Sequence, residues 1–284
     1  MTSIHRLPDC LNTPLLRTLL EIAERASELV LEVYATSFDV EMKGFDDPVT
    51  VADKRANEFI CEALRGAFPG CPIVAEESDP AVYGDYRHAE RIFFVDPVDG
   101  TREFVKRTGE FVVMLGCVEE QHAIAGVILA PTDQVRWAGQ RGLGAHCARR
   151  DEPFCPISPS SLTELSRGRV LVSRAQGDAE AELIRAALGA PNLVAMGSAG
   201  LKGASVADGS ADAYVARRYA GKRWDACAPD AIVSAAGGIF SDSKGEPIDY
   251  RTADLRNSRG LVATNQRTHA ELIRRLNATL PEPC

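Results

Sequence analysis

The sequence has no apolar run approaching the roughly 18–20 residues that cross a bilayer, so it predicts no transmembrane helix. Its N-terminal residues lack the basic start and continuous apolar core of a secretory signal, and we expect a cytoplasmic protein. Basic residues are outnumbered, with 32 Lys and Arg against 40 Asp and Glu, for a net charge of −8. This balance argues against a nucleic-acid-binding protein, which needs a basic surface.

The sequence also lacks the patterns of a disulfide framework and of a zinc site. None of its eight cysteines forms a Cys-x-x-Cys pair, and its five histidines show no metal-ligand spacing. We therefore expect reduced thiols, and a catalytic cysteine or zinc site is the weaker interpretation. The remaining expectation is a soluble protein of enzyme size.

The chain is long enough for one large domain or two modest ones. Proline and serine become frequent between residues 148 and 166, which predicts a boundary there. Residues 1–155 are predicted to form an N-terminal α+β subdomain with an antiparallel sheet. Residues 156–284 alternate between strand and helix patterns, which predicts an α/β subdomain.

Several elements follow from local patterns. Thr13 and Pro14 precede a stripe of apolar residues, which predicts a long first helix to about Tyr34. Residues 39–49 are polar and contain glycine and proline, so we expect a loop there. A second helix is predicted from Thr50, and residues 111–130 are predicted to form an antiparallel hairpin.

Two carboxylates follow an almost wholly apolar predicted strand, residues 92–95. Asp96 and Asp99 are separated by a turn that Pro97 restricts and Gly100 permits, so their side chains are expected to converge. Carboxylates so close together repel unless one is protonated or a cation lies between them. Another short apolar strand ends at Glu76-Glu77, so two strand ends are predicted to deliver four carboxylates.

Carboxylate oxygens without histidine or cysteine favour Mg²⁺ or Mn²⁺. Two such ions roughly 3.5–4 Å apart are the usual device for attack of water on a phosphate ester. Thr101 follows the acidic turn and could orient that water. Asp225 precedes an apolar helix, and its spacing favours a helix cap and metal ligation about equally. For Asp53, spacing alone favours a capping box.

The segment Asp96-Pro97-Val98-Asp99-Gly100-Thr101-Arg102-Glu103-Phe104 resembles the signature of the lithium-sensitive, magnesium-dependent phosphatases related to inositol monophosphatase. The resemblance continues through Thr50–Asp53, Glu76-Glu77 and Trp224-Asp225 and covers about residues 15–265. It implies a layered αβαβα sandwich of the inositol monophosphatase and fructose-1,6-bisphosphatase type, with the metal site between the two halves.

The resemblance also implies roles for individual residues. Glu76, Asp96 and the carbonyl of Val98 would hold one Mg²⁺, and Asp96, Asp99 and Asp225 would hold a second. Glu77 and Asp53 match supporting positions near the water and a weaker third ion, and Thr101 matches the water-activating threonine. The implied set assigns Glu76, Val98, Asp99, Gly100, Thr101 and Asp225 to the substrate as well, with the amides of Gly100 and Thr101 meeting its phosphate.

Within this superfamily the chain is most similar to the 3'(2'),5'-bisphosphate nucleotidases. The stretch after Thr101, the sequence Trp224-Asp225-Ala226-Cys227-Ala228-Pro229 and the late segment 245–250 carry this similarity. It implies hydrolysis of adenosine 3',5'-bisphosphate to AMP and phosphate. The residues that it implies for substrate binding in the second half are Ser173, Ser198, Lys202 and Arg217.

Two departures from the nucleotidase pattern keep other substrates open. Gln176 stands where those enzymes carry a nucleotide-contacting histidine, and Ala216 stands where a basic residue is expected. The alternatives are an inositol or other sugar-phosphate phosphatase and, more remotely, a non-catalytic relative that binds phosphate or nucleotide. The sequence leaves open whether the protein is a monomer or a homodimer.

Overall fold

The computed structural model describes residues 7–44, 47–189 and 192–279. Its α-helices are α1 (Pro14–Tyr34), α2 (Val51–Ala67), α3 (Thr101–Val105), α4 (Gly177–Leu188), α5 (Ala199–Ala207), α6 (Arg223–Ala235) and α7 (His269–Thr279). Its strands are β1 (Val40–Gly44), β2 (Asp47–Thr50), β3 (Ile73–Ala75), β4 (Arg91–Asp99), β5 (Val112–Glu119), β6 (His122–Ala130), β7 (Val135–Gln140), β8 (Gly144–Arg149), β9 (Cys155–Pro156), β10 (Arg169–Ser173), β11 (Asn192–Met196), β12 (Ala213–Ala216), β13 (Gly238–Ser241) and β14 (Leu261–Asn265).

The two N-terminal helices begin where their capping residues predict. The Thr13 hydroxyl accepts a hydrogen bond from the Leu16 amide at 3.1 Å, and Pro14 occupies the first turn of α1. Thr50 caps α2 and forms a capping box with Asp53. Both helices bury their apolar stripe against the first sheet.

The first sheet has seven strands in the order β3-β4-β5-β6-β7-β8-β9. Strands β3 and β4 are parallel, and every other neighbouring pair is antiparallel. Side chains alternate across it, as in any strand. Phe93 and Val95 of β4 pack on the side of α1 and α2, whereas Ile92 and Phe94 pack on the opposite side. Because both faces are covered, the middle of the strand, residues 92–95, is apolar without alternation.

The second sheet has the order β11-β10-β12-β14-β13 and is mixed. Strand β10 runs parallel to β11 and β12, and β14 runs antiparallel to β12 and β13. Leu171 faces α5 and α6, and Val170 and Val172 face α4 and α7. The layers are therefore α1 and α2, first sheet, α5 and α6, second sheet, and α4 and α7, which confirms the predicted αβαβα sandwich.

Helix α6 joins the two halves of the chain. It belongs to the second half but packs on β5, β6 and β7 of the first sheet. A Cβ added at Gly116 would lie 2.5 Å from the Cys227 sulfur, and one at Gly126 would lie 2.7 Å from the Ala228 carbonyl oxygen. Glycine at both positions thus allows α6 to approach the sheet closely. The predicted division between residues 155 and 156 falls within β9, the last strand of the first sheet, and stays a prediction.

The predicted loop over residues 39–49 is wrong. Strands β1 and β2 form an antiparallel pair there, with Val40 opposite Thr50 and Met42 opposite Pro48. All five residues of β1 are exposed, so no alternation of apolar and polar residues marks it in the sequence. Among the described helices, none combines the length and apolar character of a membrane span.

Candidate metal centre

Asp96 and Asp99 lie at the end of β4, where the pairing with β5 is irregular. Asp96 pairs with Met114 and Asp99 with Val112, so three steps along β4 match two along β5. In a regular strand, residues three apart point to opposite faces. The extra residue brings both carboxylates to one side of the sheet, which is a common use of a β-bulge near active sites.

Asp225 reaches the same point from the first turn of α6. Asp96, Asp99 and Asp225 each offer a carboxylate oxygen within 4.8 Å of the others. The Lys222 amide donates a hydrogen bond to Asp225 Oδ2 at 2.7 Å, so this residue both caps α6 and joins the cluster. Gly221 precedes it with a φ of 69°, and a Cβ there would lie 2.4 Å from Asp225 Oδ2.

Burial and mutual repulsion act on this acidic cluster together. Desolvation, followed by the charges of Glu76, Asp99 and Asp225, raises the pKa of Asp96 well above its usual range. Desolvation and the charges of Asp99 and Glu76 raise the pKa of Asp225 in the same way. A divalent cation would remove this conflict, and carboxylate oxygens are ligands that hard cations prefer. The residues present therefore fit a metal ion of that class.

The two glutamates predicted at the end of β3 adjoin the cluster. Lys43 of β1 places its Nζ 3.0 Å from Glu76 Oε1 and 2.7 Å from Glu77 Oε1. Burial raises the pKa of Glu76, and burial with the Glu76 charge raises that of Glu77 to about 7, although Lys43 acts against both shifts. The charge of Glu76 is the largest cause after desolvation of the raised pKa of Asp96, so Glu76 acts electrostatically on the three aspartates.

Thr101 and Asp53 form a hydrogen-bonded pair beside these carboxylates. The Thr101 hydroxyl lies 2.9 Å from Asp53 Oδ1 and 3.1 Å from the Val98 carbonyl oxygen, and it can donate to either. Asp53 Oδ2 accepts from the amide and the hydroxyl of Thr50, at 2.8 and 2.6 Å. Asp53 thus caps α2 with one oxygen and holds Thr101 with the other. Gly100, with a φ of 101°, turns the chain between β4 and α3.

The start of α5 contacts Asp99 directly. The Ser198 hydroxyl donates a hydrogen bond to Asp99 Oδ2 at 2.5 Å, and the Gly200 amide donates to the same oxygen at 2.6 Å. Ser198 also accepts from the Leu201 amide at 3.0 Å and so caps α5. One carboxylate oxygen of Asp99 is therefore held by two donors, which leaves the other for a ligand.

The basic residues predicted for the substrate have partners within the protein. Lys202 is 2% exposed, and its Nζ donates to the carbonyls of residues 196, 197 and 198 at 3.3, 3.0 and 2.6 Å. Arg217 is 4% exposed and pairs with Glu180 of α4, with Nε 2.8 Å from Oε1. Ser173 lies half-buried at the end of β10, opposite Met196.

Three contributors were missed by the sequence analysis. Lys43 lies in the segment expected to be a loop, and the Gly200 amide is a main-chain donor without a side-chain signal. Arg174 bridges Glu103 of α3 and Glu110, at 3.0 and 2.8 Å, and Glu110 accepts a hydrogen bond from the Gly197 amide at 2.9 Å. The sequence shows these charges but not their pairing, since Arg174 is 71 positions from Glu103 and 64 from Glu110 along the chain.

The model of the inositol monophosphatase family matches residues 11–280. The chain belongs to the inositol monophosphatase family. It is 34% identical over 233 residues to the 3'(2'),5'-bisphosphate nucleotidase CysQ of Escherichia coli O157:H7, covering 81% of this chain and 91% of that one. The inositol monophosphatase of Anabaena sp. PCC 7120 superposes with a TM-score of 0.76 at 28% identity, over 94% of this chain and 96% of that one. CysQ of Bacteroides thetaiotaomicron superposes with a TM-score of 0.72 at 28% identity, over 88% and 96%.

Family membership confirms two expectations from the sequence. Inositol monophosphatase family members are phosphoric monoester hydrolases, and the chain is an enzyme of this class. The family is also metal-dependent, in agreement with the acidic cluster of Asp96, Asp99 and Asp225. The resemblance to the 3'(2'),5'-bisphosphate nucleotidases is likewise confirmed by the CysQ relatives. The residue roles that the resemblance implied stay predictions.

Proposed function

We propose that this protein is a Mg²⁺-dependent phosphatase that hydrolyses adenosine 3',5'-bisphosphate to AMP and phosphate. The observation that carries the proposal is the convergence of Asp96, Asp99 and Asp225 within 4.8 Å beside the Thr101–Asp53 pair. Its nucleotide substrate rests on the relatives named CysQ. Mn²⁺ has the same preference for carboxylate oxygens and is expected to substitute.

The chain's own residues have distinct tasks in this reaction. Glu76, Asp96 and the Val98 carbonyl would hold one ion, and Asp96, Asp99 and Asp225 a second, with Glu77 and Asp53 near a weaker third. When bound, the ions neutralise the phosphate and lower the pKa of water, which makes a nucleophile available at neutral pH. By holding the ions, the carboxylates would also fix where the phosphate lies relative to Thr101.

Thr101 and Asp53 are proposed to orient the attacking water. When the Thr101 hydroxyl donates its proton to Asp53 Oδ1, its oxygen is free to accept a hydrogen bond from that water. Burial raises the pKa of Asp53, although its hydrogen bonds from Thr50 and Thr101 oppose the shift, so Asp53 is better suited to accept a proton than an exposed aspartate.

Thr101→Ala tests this role and is expected to lower kcat by about a hundredfold, the lower range for loss of a proton-transfer group. Thr101→Ser retains the hydroxyl and should recover most of the rate. If both variants lose the same activity, the hydroxyl does not act on the water. Pre-steady-state release of phosphate at saturating Mg²⁺ measures the chemical step.

An inositol or other sugar phosphate is the second candidate substrate. The observation that favours it concerns Lys202 and Arg217. The Lys202 ammonium donates to main-chain carbonyls and Arg217 pairs with Glu180, so these contacts are made within the protein and not with a second phosphate. Gln176 adds to it, because neither polar atom of its buried carboxamide has a hydrogen-bond partner among the described residues. A glutamine at this position also departs from the nucleotidase pattern, which has a histidine there.

Phosphate release from adenosine 3',5'-bisphosphate and from inositol 1-phosphate distinguishes the two substrates. The proposal expects kcat/KM at least about tenfold higher for the bisphosphate, a difference of about 1.4 kcal/mol. Turnover of the inositol ester alone would overturn the nucleotide assignment. Excess EDTA should abolish activity, Ca²⁺ should restore little of it, and Li⁺ should inhibit. Full activity in EDTA would contradict the metal assignment.

A further inference from the structure

The ammonium of Lys202 is saturated by the main chain of the loop before α5. A lysine has three N–H donors and no acceptor. Those three donors match three carbonyl oxygens, of Met196, Gly197 and Ser198, at 3.3, 3.0 and 2.6 Å. The ring of Tyr214 covers the same group, with the Nζ 5.2 Å from its centre. No donor of this lysine is left for a phosphate oxygen.

The loop that Lys202 holds has an unusual backbone conformation. Ser198 has φ 53° and ψ 121°, and residues other than glycine rarely adopt a positive φ. Such a conformation persists only when its surroundings hold it. Here the holding contacts are the Lys202 ammonium on the carbonyls and the Glu110 carboxylate on the Gly197 amide, at 2.9 Å.

This conformation directs two donors at one carboxylate oxygen. The Ser198 hydroxyl and the Gly200 amide both donate to Asp99 Oδ2, at 2.5 and 2.6 Å. A carboxylate held in this way presents its second oxygen in a fixed direction. Close packing supports the arrangement, because a Cβ at Gly200 would lie 2.4 Å from the Met114 sulfur and 3.2 Å from Asp99 Oδ2.

We propose that Lys202 is a positioning residue for the metal centre, which acts through the loop 196–198 and Ser198 on Asp99. Lys202 fixes the three carbonyls, the loop fixes the Ser198 hydroxyl, and that hydroxyl orients Asp99 toward the ion. The inference rests on the proposed metal-dependent function. It replaces the expectation, drawn from resemblance, that Lys202 and Ser198 contact the substrate.

The test compares Lys202→Met and Ser198→Ala with the wild type by calorimetric titration of Mn²⁺ in the absence of substrate. Loss of a partner behind a metal ligand typically weakens metal binding by roughly ten- to a hundredfold. We expect a loss in this range for both variants. Lys54→Met is the matched control for Lys202, because Lys54 is exposed and pairs with Glu41. Ser27→Ala is the control for Ser198, because Ser27 is a buried serine of α1.

Kinetics with two substrates distinguish positioning from substrate contact. A positioning role lowers activity on the bisphosphate and on a simple monoester by the same factor, and raising Mn²⁺ recovers part of both. A phosphate contact lowers only the activity on the bisphosphate and leaves Mn²⁺ affinity unchanged, which would overturn the proposal. Mn²⁺ affinity equal to that of the wild type in both variants would overturn it as well.

Two further outcomes also bear on the positioning role of Lys202. If Lys202→Met does not fold, Ser198→Ala alone decides, since it leaves the buried ammonium and its carbonyl contacts in place. If the wild type hydrolyses neither phosphate ester but binds Mn²⁺, the proposed function fails, and the calorimetric comparison still tests the positioning of Asp99.

Discussion

Asp96 of the metal centre and two basic residues of the second half, Lys202 and Arg217, are about equally buried but are satisfied in opposite ways. Asp96 is 2% exposed, as is Lys202, and Arg217 is 4% exposed. Lys202 and Arg217 meet oxygen atoms of the protein itself. Asp96 instead faces other carboxylates, whose charges raise its pKa further after desolvation. The difference is that the charges of Lys202 and Arg217 are compensated within the protein, whereas that of Asp96 would be compensated by a bound cation.

Asp96→Asn should give the largest effect, since it removes one anionic oxygen from the centre of the cluster. Loss of an ion in a two-metal reaction removes several kcal/mol of transition-state stabilisation, so kcat should fall more than about a hundredfold. Asp230→Asn is the matched control, because Asp230 is a half-buried aspartate of α6 that accepts hydrogen bonds from Tyr250 and Ser234. A variant at position 96 that keeps a tenth of the wild-type kcat would exclude the central role.

Arg217→Met tests whether Arg217 stabilises the fold through its pair with Glu180. Removing Arg217 takes the buried partner from Glu180 and leaves it only the partly exposed Arg218, whose Nε lies 3.2 Å from Oε2, and we expect a loss of up to about 3 kcal/mol in the free energy of unfolding. Urea denaturation measures it. The double variant Arg217→Met, Glu180→Leu should recover most of that stability. Unchanged stability with weaker binding of the bisphosphate alone would assign Arg217 to the substrate.

Gly221→Ala disturbs the position of Asp225 in the acidic cluster without removing a charge. Its φ of 69° and the 2.4 Å separation of an added Cβ from Asp225 Oδ2 mean that the carboxylate must move. We expect Mn²⁺ binding to weaken by roughly tenfold, the lower range for a disturbed metal environment. Gly237→Ala is the control, since Gly237 has φ 91° and no atom within 4 Å of an added Cβ. Equal effects of the two variants would reduce the result to backbone strain.

Asp230 shows how a half-buried carboxylate behaves outside the site. Burial raises its pKa to about 6, although hydrogen bonds from Tyr250 and Ser234 oppose the shift. The folded state therefore binds a proton that the unfolded state releases, and the contribution of Asp230 to stability falls as pH rises from about 4 to 6. Relative to Asp230→Asn, the wild type should lose about 1–3 kcal/mol across this range in urea denaturation. A constant difference would exclude the shifted pKa.

The sequence predicts the acidic cluster far better than the contacts of Lys202, for a physical reason. Asp96 and Asp99 follow a long apolar strand, and their chemistry depends on residue type and strand-end position, which a sequence displays. The engagement of Lys202 depends on three carbonyls whose direction is set by the φ of Ser198. Backbone oxygens have no sequence signal, so a lysine saturated by them is indistinguishable from one that faces a ligand.

The secondary structure is likewise predictable only where a local sequence pattern marks it. Thr13 and Pro14 start α1 as predicted, because a cap and an apolar stripe are local. Strand β1 was missed because all its residues are exposed, and its Lys43 was missed as a partner of Glu76 and Glu77 for the same reason. The bulge in β4 depends on the register with β5, which no local pattern specifies.

The close contact between α6 and the first sheet has a consequence for the cost of binding an ion. Gly116 and Gly126 let Cys227 and Ala228 pack against the sheet almost backbone to backbone. The position of Asp225 relative to the aspartates of β4 therefore depends on how closely the main chain of α6 approaches the first sheet. A site whose ligands are held by such packing is preorganised, so little conformational entropy remains to be lost when a cation enters. The dimensions of the metal centre are thus specified by uncharged residues that never touch the metal.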